Sequence, residues 1–173
     1  LNLLAYQLNE NQIIPDYALR TKIEFLMEDG YRRLRKFEQE PGGFSLFRHT
    51  KIDEGLTAYL LVHLNDLSKV HPVKKLWIEQ ITSFLLRQRT GRGDFTSISQ
   101  HKKSRLGKLV ENAYICWALS EVGVSSEVLA KEAEFVHQEA LLHQDLYRTS
   151  LAALMHFNFG EKEKAAEVIP LIK

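Results

Sequence analysis

The sequence predicts an all-α fold of alternating outer and inner helices, and three observations support this. Long segments repeat their apolar residues at helical spacing, only four prolines and nine glycines interrupt the 173 residues, and no segment alternates as a strand would. Some segments are apolar on one face and others all round, and the two kinds alternate along the chain. Because each apolar helix needs neighbours to cover it, the pattern favours an α/α toroid, here a partial ring of inner and outer helices.

Four amphipathic segments are the predicted outer helices. They cover residues 16–37, 72–89, 125–138 and 161–173. Each has charged side chains opposite an apolar stripe, which is typical of a helix with one solvated face. Pro15 precedes the first segment and Pro41 follows it, as start and stop signals of a helix commonly do. Ser125 or Ser126 is the predicted N-cap of the third segment.

Three further segments are apolar on almost every side and are the predicted inner helices. They cover residues 52–70, 110–122 and 147–159. A helix that is hydrophobic all round is a buried one, and these segments are too short to span a bilayer.

A sequence repeat coincides with this alternation. Phe44 and Phe95 each close a glycine-containing turn and lie 51 positions apart, while Tyr59 and Tyr114 occupy matching places in the first two inner segments, 55 positions apart. A shortened third copy begins at Tyr147 without the glycine turn. Glycine permits the φ > 0 turn that reverses the chain, and the phenylalanine is expected to plug the hairpin end. Since one unit cannot cover its own inner helix, the units must pack side by side.

Composition excludes several classes of partner and chemistry. The formal net charge is +1, so we expect no nucleic-acid partner. A single cysteine excludes an internal disulfide framework and a cysteine-based zinc site, and we expect no metal and no cofactor. No apolar run is long enough for a membrane span, and the first residues show no signal-peptide pattern. Both ends look like cuts through structure, which favours one domain, residues 1–173, taken from a longer protein.

Six short motifs carry a resemblance to a known family. In order they are Gly30-Tyr31-Arg32-Arg33-Leu34, Gly42-Gly43-Phe44-Ser45-Leu46-Phe47, Glu54-Gly55-Leu56-Thr57-Ala58-Tyr59, Phe84-Leu85-Leu86-Arg87-Gln88-Arg89, Asn112-Ala113-Tyr114-Ile115-Cys116-Trp117-Ala118-Leu119 and Asp145-Leu146-Tyr147-Arg148. Each alone is weak, but together, in this order and at these gaps, the chain resembles the thioester domain of alpha-2-macroglobulin and complement-type proteins. The resemblance is to the bacterial-type branch in particular.

The resemblance implies a covalent trapping mechanism. In such proteins a Cys-x-Glu-Gln motif forms an internal thioester, which proteolysis elsewhere in the molecule exposes to an amine or hydroxyl on a protease or target surface. It implies a role in protease inhibition or defence, a location outside the cell or in the periplasm or cell envelope, and partners among the parent's other domains, target proteases and surface nucleophiles. The chain itself is expected not to be an enzyme.

The sequence departs from the family pattern at the reactive motif. Cys-x-Glu-Gln is absent, and alignment places it upstream of Leu1. The last repeats of the ring are also expected to be missing. Cys116 lies within a predicted inner helix with no Glu-Gln after it, so it cannot be carried over as the thioester sulfur and is expected to pack as a small hydrophobe.

The seven histidines lie in different sequence contexts. His101 follows Phe95 by six residues, where a histidine of some complement-type thioester domains accepts the acyl group, so the resemblance makes it the one acyl-transfer candidate. Its Ser-, Lys- and Arg-rich context favours an exposed loop over that role. His63 is expected to be a core histidine. His137 and His143 lie near Glu134 and Glu139, but their spacing fits a solvated helix face better than a metal site. His49, His71 and His156 show no partner pattern.

Two alternatives stay open. The parent protein could have lost its thioester, which would leave a structural or protein-interaction module. An α/α-toroid enzyme such as a prenyltransferase, terpene cyclase or lyase is the less favoured alternative, because the sequence contains neither an Asp/Cys/His zinc set nor an Asp-x-Asp-Asp motif.

Overall fold

A computed structural model describes residues 17–47, 49–96, 105–143 and 145–171 of the chain. The elements, in order, are α1 (Tyr17–Leu34), a 3-10 helix (Arg35–Phe37), β1 (Glu38–Glu40), β2 (Gly43–Phe44), α2 (Glu54–Ser68), α3 (Lys75–Arg87), α4 (Arg105–Glu121), α5 (Ala130–His143), α6 (Leu146–Asn158), α7 (Lys162–Val168) and a final 3-10 helix (Ile169–Leu171). The all-α prediction is confirmed.

The helices form two layers. The inner helices α2, α4 and α6 pack on one another in that order, α3 covers α2, α5 covers α4 and α6, and α7 lies against α6 and α5. These outer helices expose their charged faces, as expected for amphipathic helices whose apolar residues lie along one side only. The layering confirms the α/α toroid, because each outer helix covers inner helices and the inner helices pack directly on one another.

The core lies between the layers. Its largest fully buried side chains are Trp77, Phe84, Ile81 and Leu85 from α3, Leu61 and Leu64 from α2, Ile115 and Leu119 from α4, and Met155 from α6, with Phe44 added from β2. α1 joins this core through Tyr31, whose ring meets the edge of Trp77 at a centroid distance of 5.2 Å and whose hydroxyl accepts from the Lys74 N–H (3.2 Å). Outer and inner helices therefore share one hydrophobic interior.

Two of the inner helices begin with the same local structure. Asp53 caps α2, accepting from the Leu56 N–H at 2.8 Å, and Asp145 caps α6, accepting from the Arg148 N–H at 3.0 Å. Such a carboxylate satisfies an otherwise orphaned helical N–H and favourably meets the positive end of the helix dipole. Both inner helices thus start at an aspartate that is followed four residues later by a threonine. The sequence repeat therefore corresponds to a repeated helix start in the structure.

The structure corrects the prediction that the chain contains no strand. β1 and β2 form an antiparallel pair in which Glu38 opposes Phe44, and Arg89 and Phe95 form an isolated bridge. These pairings hold the two glycine turns closed. They are two or three residues long, too short to produce the alternation by which a strand is recognised in sequence.

The predicted start of α5 is also wrong. Ser125 and Ser126 lie in a turn ahead of the helix, where the Ser125 carbonyl accepts from the Leu129 N–H (3.3 Å), and α5 begins only at Ala130. Neither serine therefore stands at the N-cap position directly before Ala130.

The inner helices are not buried on every side, as the sequence led us to expect. Tyr59 on α2 and Leu154 on α6 are each about half exposed. His63, predicted to be a core histidine, is exposed on the same face of α2 as Tyr59, with its Nδ1 2.9 Å from the Tyr59 carbonyl oxygen. The reason is that outer helices cover only one side of the inner layer, and no described residue covers the other.

Candidate functional site

The candidate site is the hairpin rim, which we define as the two glycine hairpins (residues 38–44 and 89–95) together with the starts of α2 and α4 on which they sit. In the first hairpin, the Gly42 N–H donates to Glu38 Oε1 at 2.8 Å and closes the turn. Gly42 has φ +85° and lies so close to α3 that a Cβ would come 2.2 Å from the Gln80 carbonyl oxygen. Only glycine fits this position, which fixes the hairpin against the outer helix.

The first hairpin is anchored to α2 through backbone and side chain. The Phe44 N–H donates to Thr57 Oγ1 (3.1 Å), the Thr57 hydroxyl donates to the Asp53 carbonyl oxygen (2.7 Å), and the Asp53 N–H donates to the Phe44 carbonyl oxygen (2.8 Å). The Phe44 ring is fully buried beside Trp77. The prediction that Phe44 plugs a hairpin end is confirmed.

The second hairpin repeats this arrangement on α4. The Phe95 N–H donates to Asn112 Oδ1 (3.3 Å), and Asn112 stands at the place in α4 that Thr57 holds in α2. Gly93 has φ +99°, and a Cβ there would meet Phe135 of α5 at 2.8 Å. In both hairpins, therefore, a glycine packs against an outer helix, and the backbone N–H of a phenylalanine donates to a side chain of an inner helix.

The starts of α2 and α4 are joined directly. The Gly55 N–H donates to Glu111 Oε1 at 3.2 Å, which ties the two units of the rim together. A cavity of about 180 Å³ lies beside this junction, under the second hairpin, and its lining includes Asp94, Phe95 and Lys108.

The third unit ends differently because it has no glycine hairpin. At the start of α6 the side chain of Arg148 is buried, with its Nε 3.6 Å from Asp145 Oδ1 and its Nη1 3.7 Å from Glu139 Oε2. The Thr149 hydroxyl, which corresponds to that of Thr57, has no hydrogen-bond partner among the described residues. The hairpin rim therefore contains two equivalent units. The third unit, at the start of α6, has the buried Arg148 beside two carboxylates in place of a phenylalanine.

An exposed apolar surface adjoins the first hairpin. Leu46 and Phe47 follow Phe44 directly and are each about two-thirds exposed. Phe44, Phe95 and Trp77 are buried in the core, whereas Phe47 is exposed. The Ser45 hydroxyl donates to the Phe47 carbonyl oxygen (2.7 Å), so a local turn projects this surface outward.

The tyrosines of the inner helices share the uncovered face of the inner layer. Burial raises the pKa of Tyr114 to about 12, and the neighbouring Tyr147 and Tyr59 contribute in the same direction. Trp117 lies on the same face of α4 and donates from its Nε1 to Glu121 Oε1 (2.9 Å).

Of the two residues considered for thioester chemistry, the structure describes Cys116 but not His101. His101 lies outside the described residues, as does most of the basic stretch around it, so its acyl-transfer role stays a prediction. Cys116 is fully buried, as predicted, and burial raises the pKa of its thiol, with the nearby Glu132 adding to the effect. A thiol held neutral in the core is a poor nucleophile, in agreement with its exclusion as the thioester sulfur.

The histidine predictions for α5 are partly wrong. His143 does lie on a partly exposed face, with its Nε2 3.3 Å from Glu139 Oε2. His137, by contrast, is buried and meets His156 of α6, a contact that sequence reasoning missed. The two residues are 19 positions apart on different helices, and no local spacing signals their meeting. Among the described residues, no group of three His, Cys, Asp or Glu side chains is placed to hold a metal ion.

The fold and the rim together define the class of protein: an α/α toroid built from helix–hairpin–helix units. A model of the A-macroglobulin TED domain family matches residues 1–169, and the chain belongs to this family of macroglobulin thioester domains. A search of curated proteins finds no match. Within the described part of the chain, no helix is long and apolar enough to cross a membrane.

Proposed function

We propose that this chain is the non-catalytic scaffold of a thioester domain in a larger macroglobulin-like protein, which traps proteases or defends a surface by forming a covalent bond. The observation that carries the proposal is the hairpin rim, in which two equivalent glycine hairpins seat their phenylalanines on the starts of α2 and α4 in a chain of this family. The rim is a rigid, repeated edge of the toroid on which a reactive group can be positioned.

The role of the rim is to keep a thioester dry until it is needed. A thioester is stable where water is excluded and acylates a nucleophile when it becomes accessible. Phe44 and Phe95 seal the hairpins, while Leu46 and Phe47 offer an apolar surface that another part of the protein can cover. When an amine attacks, an amide bond forms, the carbon–sulfur bond breaks, and the cysteine sulfur leaves as a thiol.

The reactive group must come from outside these residues. The 173 residues contain no Cys-x-Glu-Gln, and Cys116 is buried in the core between α4 and the outer layer. In this proposal a part of the parent protein outside these 173 residues supplies the cysteine and glutamine, as the family resemblance implies.

Family membership supports the remaining parts of the proposal. Macroglobulin-type proteins act outside the cytoplasm, which favours a parent that is secreted or held in the periplasm or cell envelope. The bacterial-type branch is proposed on the resemblance of the short sequence motifs alone. Its partners are then the parent's other domains, target proteases and nucleophiles on target surfaces. His101 is retained as the candidate for receiving the acyl group.

A second function is favoured by one observation. Leu46 and Phe47 are exposed beside the rim, which suits an interaction module that binds another domain of the same protein even if no thioester is present. No comparable observation on the described residues favours an α/α-toroid enzyme.

Methylamine treatment of the intact parent protein tests the proposal. We expect its mass to increase by one methylamine adduct and one new thiol to become reactive, since the amine takes the acyl group and releases the cysteine. The Cys116→Ala variant is the control, and it should yield the same adduct and the same new thiol. A parent that gains neither adduct nor thiol would exclude the thioester and leave the interaction module.

A further inference from the structure

Two buried histidines meet where α5, α6 and α7 join. His137 Nδ1 lies 3.1 Å from His156 Nε2, and the rings pack edge to face. His156 is completely buried and His137 nearly so. Their other ring nitrogens each face a carboxylate: His156 Nδ1 is 2.7 Å from Glu161 Oε2, and His137 Nε2 is 3.4 Å from Glu167 Oε2 on α7. The four side chains form one continuous chain of polar contacts.

The contacts determine where the protons lie on these four side chains. An ionised carboxylate only accepts, so His156 must carry its proton on Nδ1 to donate to Glu161. A neutral His156 then has a bare Nε2, which accepts from a proton on His137 Nδ1. If His137 is also neutral, its Nε2 is bare and faces the Glu167 carboxylate, so two acceptors oppose each other. When both histidines are neutral, the series of four side chains therefore lacks one proton, at the contact between His137 and Glu167.

We propose that this His137–His156 pair is a proton-controlled clamp that holds α7 against α5 and α6, closed by one proton and opened by a second. The first proton, taken from solvent, binds to His137 Nε2 and turns its contact with Glu167 into a charge-assisted hydrogen bond. That bond links α5 to α7 and leaves every ring nitrogen of the pair with a partner.

A second proton has to break the clamp. It can bind only at His156 Nε2, which already accepts from His137, and it would place two N–H groups and two positive charges against each other across 3.1 Å. Burial lowers the pKa of His156, the neighbouring His137 and Lys164 lower it further, and Glu161 opposes them. His156 therefore takes up this proton only at a lower pH than an ordinary histidine does.

The other charges at the junction come from α5 and α7. Lys164 Nζ is 3.4 Å from Glu161 Oε2 and 4.0 Å from Glu134 Oε2 of α5. Glu161 thus lies between a lysine and a histidine and accepts from both. Glu167 is more than half exposed and has no described cation beside it except protonated His137, so a proton on His137 Nε2 strengthens this contact.

Hydrogen exchange measured residue by residue on the 173-residue chain tests the clamp. After correction for intrinsic exchange rates, we expect the amides of Ala165 and Val168 to be about two- to fivefold better protected near pH 6 than near pH 8, the gain of one partly exposed ion pair. At still lower pH the protection of these amides should fall as His156 becomes protonated.

Two variants of α7 separate this effect from a general effect of pH. Glu167→Gln removes the responding carboxylate at an exposed position, so the fold is kept and the gain in protection between about pH 8 and pH 6 should vanish. Glu163→Gln removes a carboxylate from the same helix at another exposed position and should behave as the unmodified chain does.

Nitrogen NMR of the histidine rings gives the second readout. Near pH 8 His156 should be protonated on Nδ1 and bare on Nε2. The proposal is overturned if His156 shows the opposite tautomer, if α7 protection does not change over this range, or if Glu167→Gln keeps the full gain.

Discussion

Replacing Gly42 by alanine tests how tightly the first hairpin is held against α3. Its φ of +85° is a conformation that costs an L-residue about 1–2 kcal/mol. The added Cβ would also lie 2.2 Å from the Gln80 carbonyl oxygen, which belongs to the backbone of α3 and cannot move aside because the apolar face of this helix is packed in the core. The hairpin must lift instead, and the fully buried Phe44 ring loses part of its packing, whose complete loss is worth about 3–5 kcal/mol. We expect Gly42→Ala to lower the free energy of unfolding by about 3–5 kcal/mol.

Gly91→Ala is the matched control. Gly91 has φ +79°, but no described atom lies within 4 Å of the position of an added Cβ, so only the conformational cost of about 1–2 kcal/mol applies. Urea unfolding, followed by circular dichroism and by fluorescence of Trp77 and Trp117, measures both variants. Equal destabilisation of the two would refute the close approach of hairpin and helix on which the account of the rim depends.

Three further predictions address the hydrogen bonds, the cysteine and the tyrosines. Thr57→Val leaves the buried Phe44 N–H without its acceptor and should cost about 1–3 kcal/mol in urea unfolding, whereas Thr82→Val, which removes a hydroxyl bonded only within its own helix, should cost less than about 1 kcal/mol. The Cys116 thiol should not react with a thiol reagent in the folded chain and should react fully once the chain is unfolded, so rapid labelling under native conditions would contradict its placement in the core. Because the pKa of Tyr114 is raised from 10.0 to about 12, the unfolded chain loses this proton first, and stability should decrease as the pH rises above about 10, by about 1 kcal/mol after allowance for solvent exposure. Ultraviolet titration should show a last tyrosine step that Tyr114→Phe abolishes, and an unchanged titration would rule out this assignment.

Features carried by local periodicity could be predicted from the sequence. The difference between one-sided and all-round apolar helices predicted which helices are outer and which are inner, because burial demands that difference directly. The matching glycine turns before Phe44 and Phe95 predicted the two hairpins, since few residues other than glycine adopt a positive φ. The glycine turns and the apolar helices also supply several of the six motifs that carry the family resemblance.

Features that depend on packing between distant residues could not be predicted. His137 and His156 meet only because α5 lies across α6, and neither residue has a neighbour in sequence that signals the contact. Tyr59 and His63 lie on an apolar helix and are nevertheless exposed, because their exposure depends on what covers the inner layer rather than on the helix itself. The hairpin strands could not be predicted because two or three residues are too few to show a recognisable alternation of apolar and polar side chains.

The toroid requires the helices to form an inner and an outer layer. Hydrogen exchange of the 173-residue chain measures this layering, because exchange reports how deeply each helix is buried. We expect α2, α4 and α6 to exchange most slowly and α1 and α7 to exchange much faster. Equal protection of the two helices in every pair would indicate a stack of equivalent helical hairpins and would contradict the toroid.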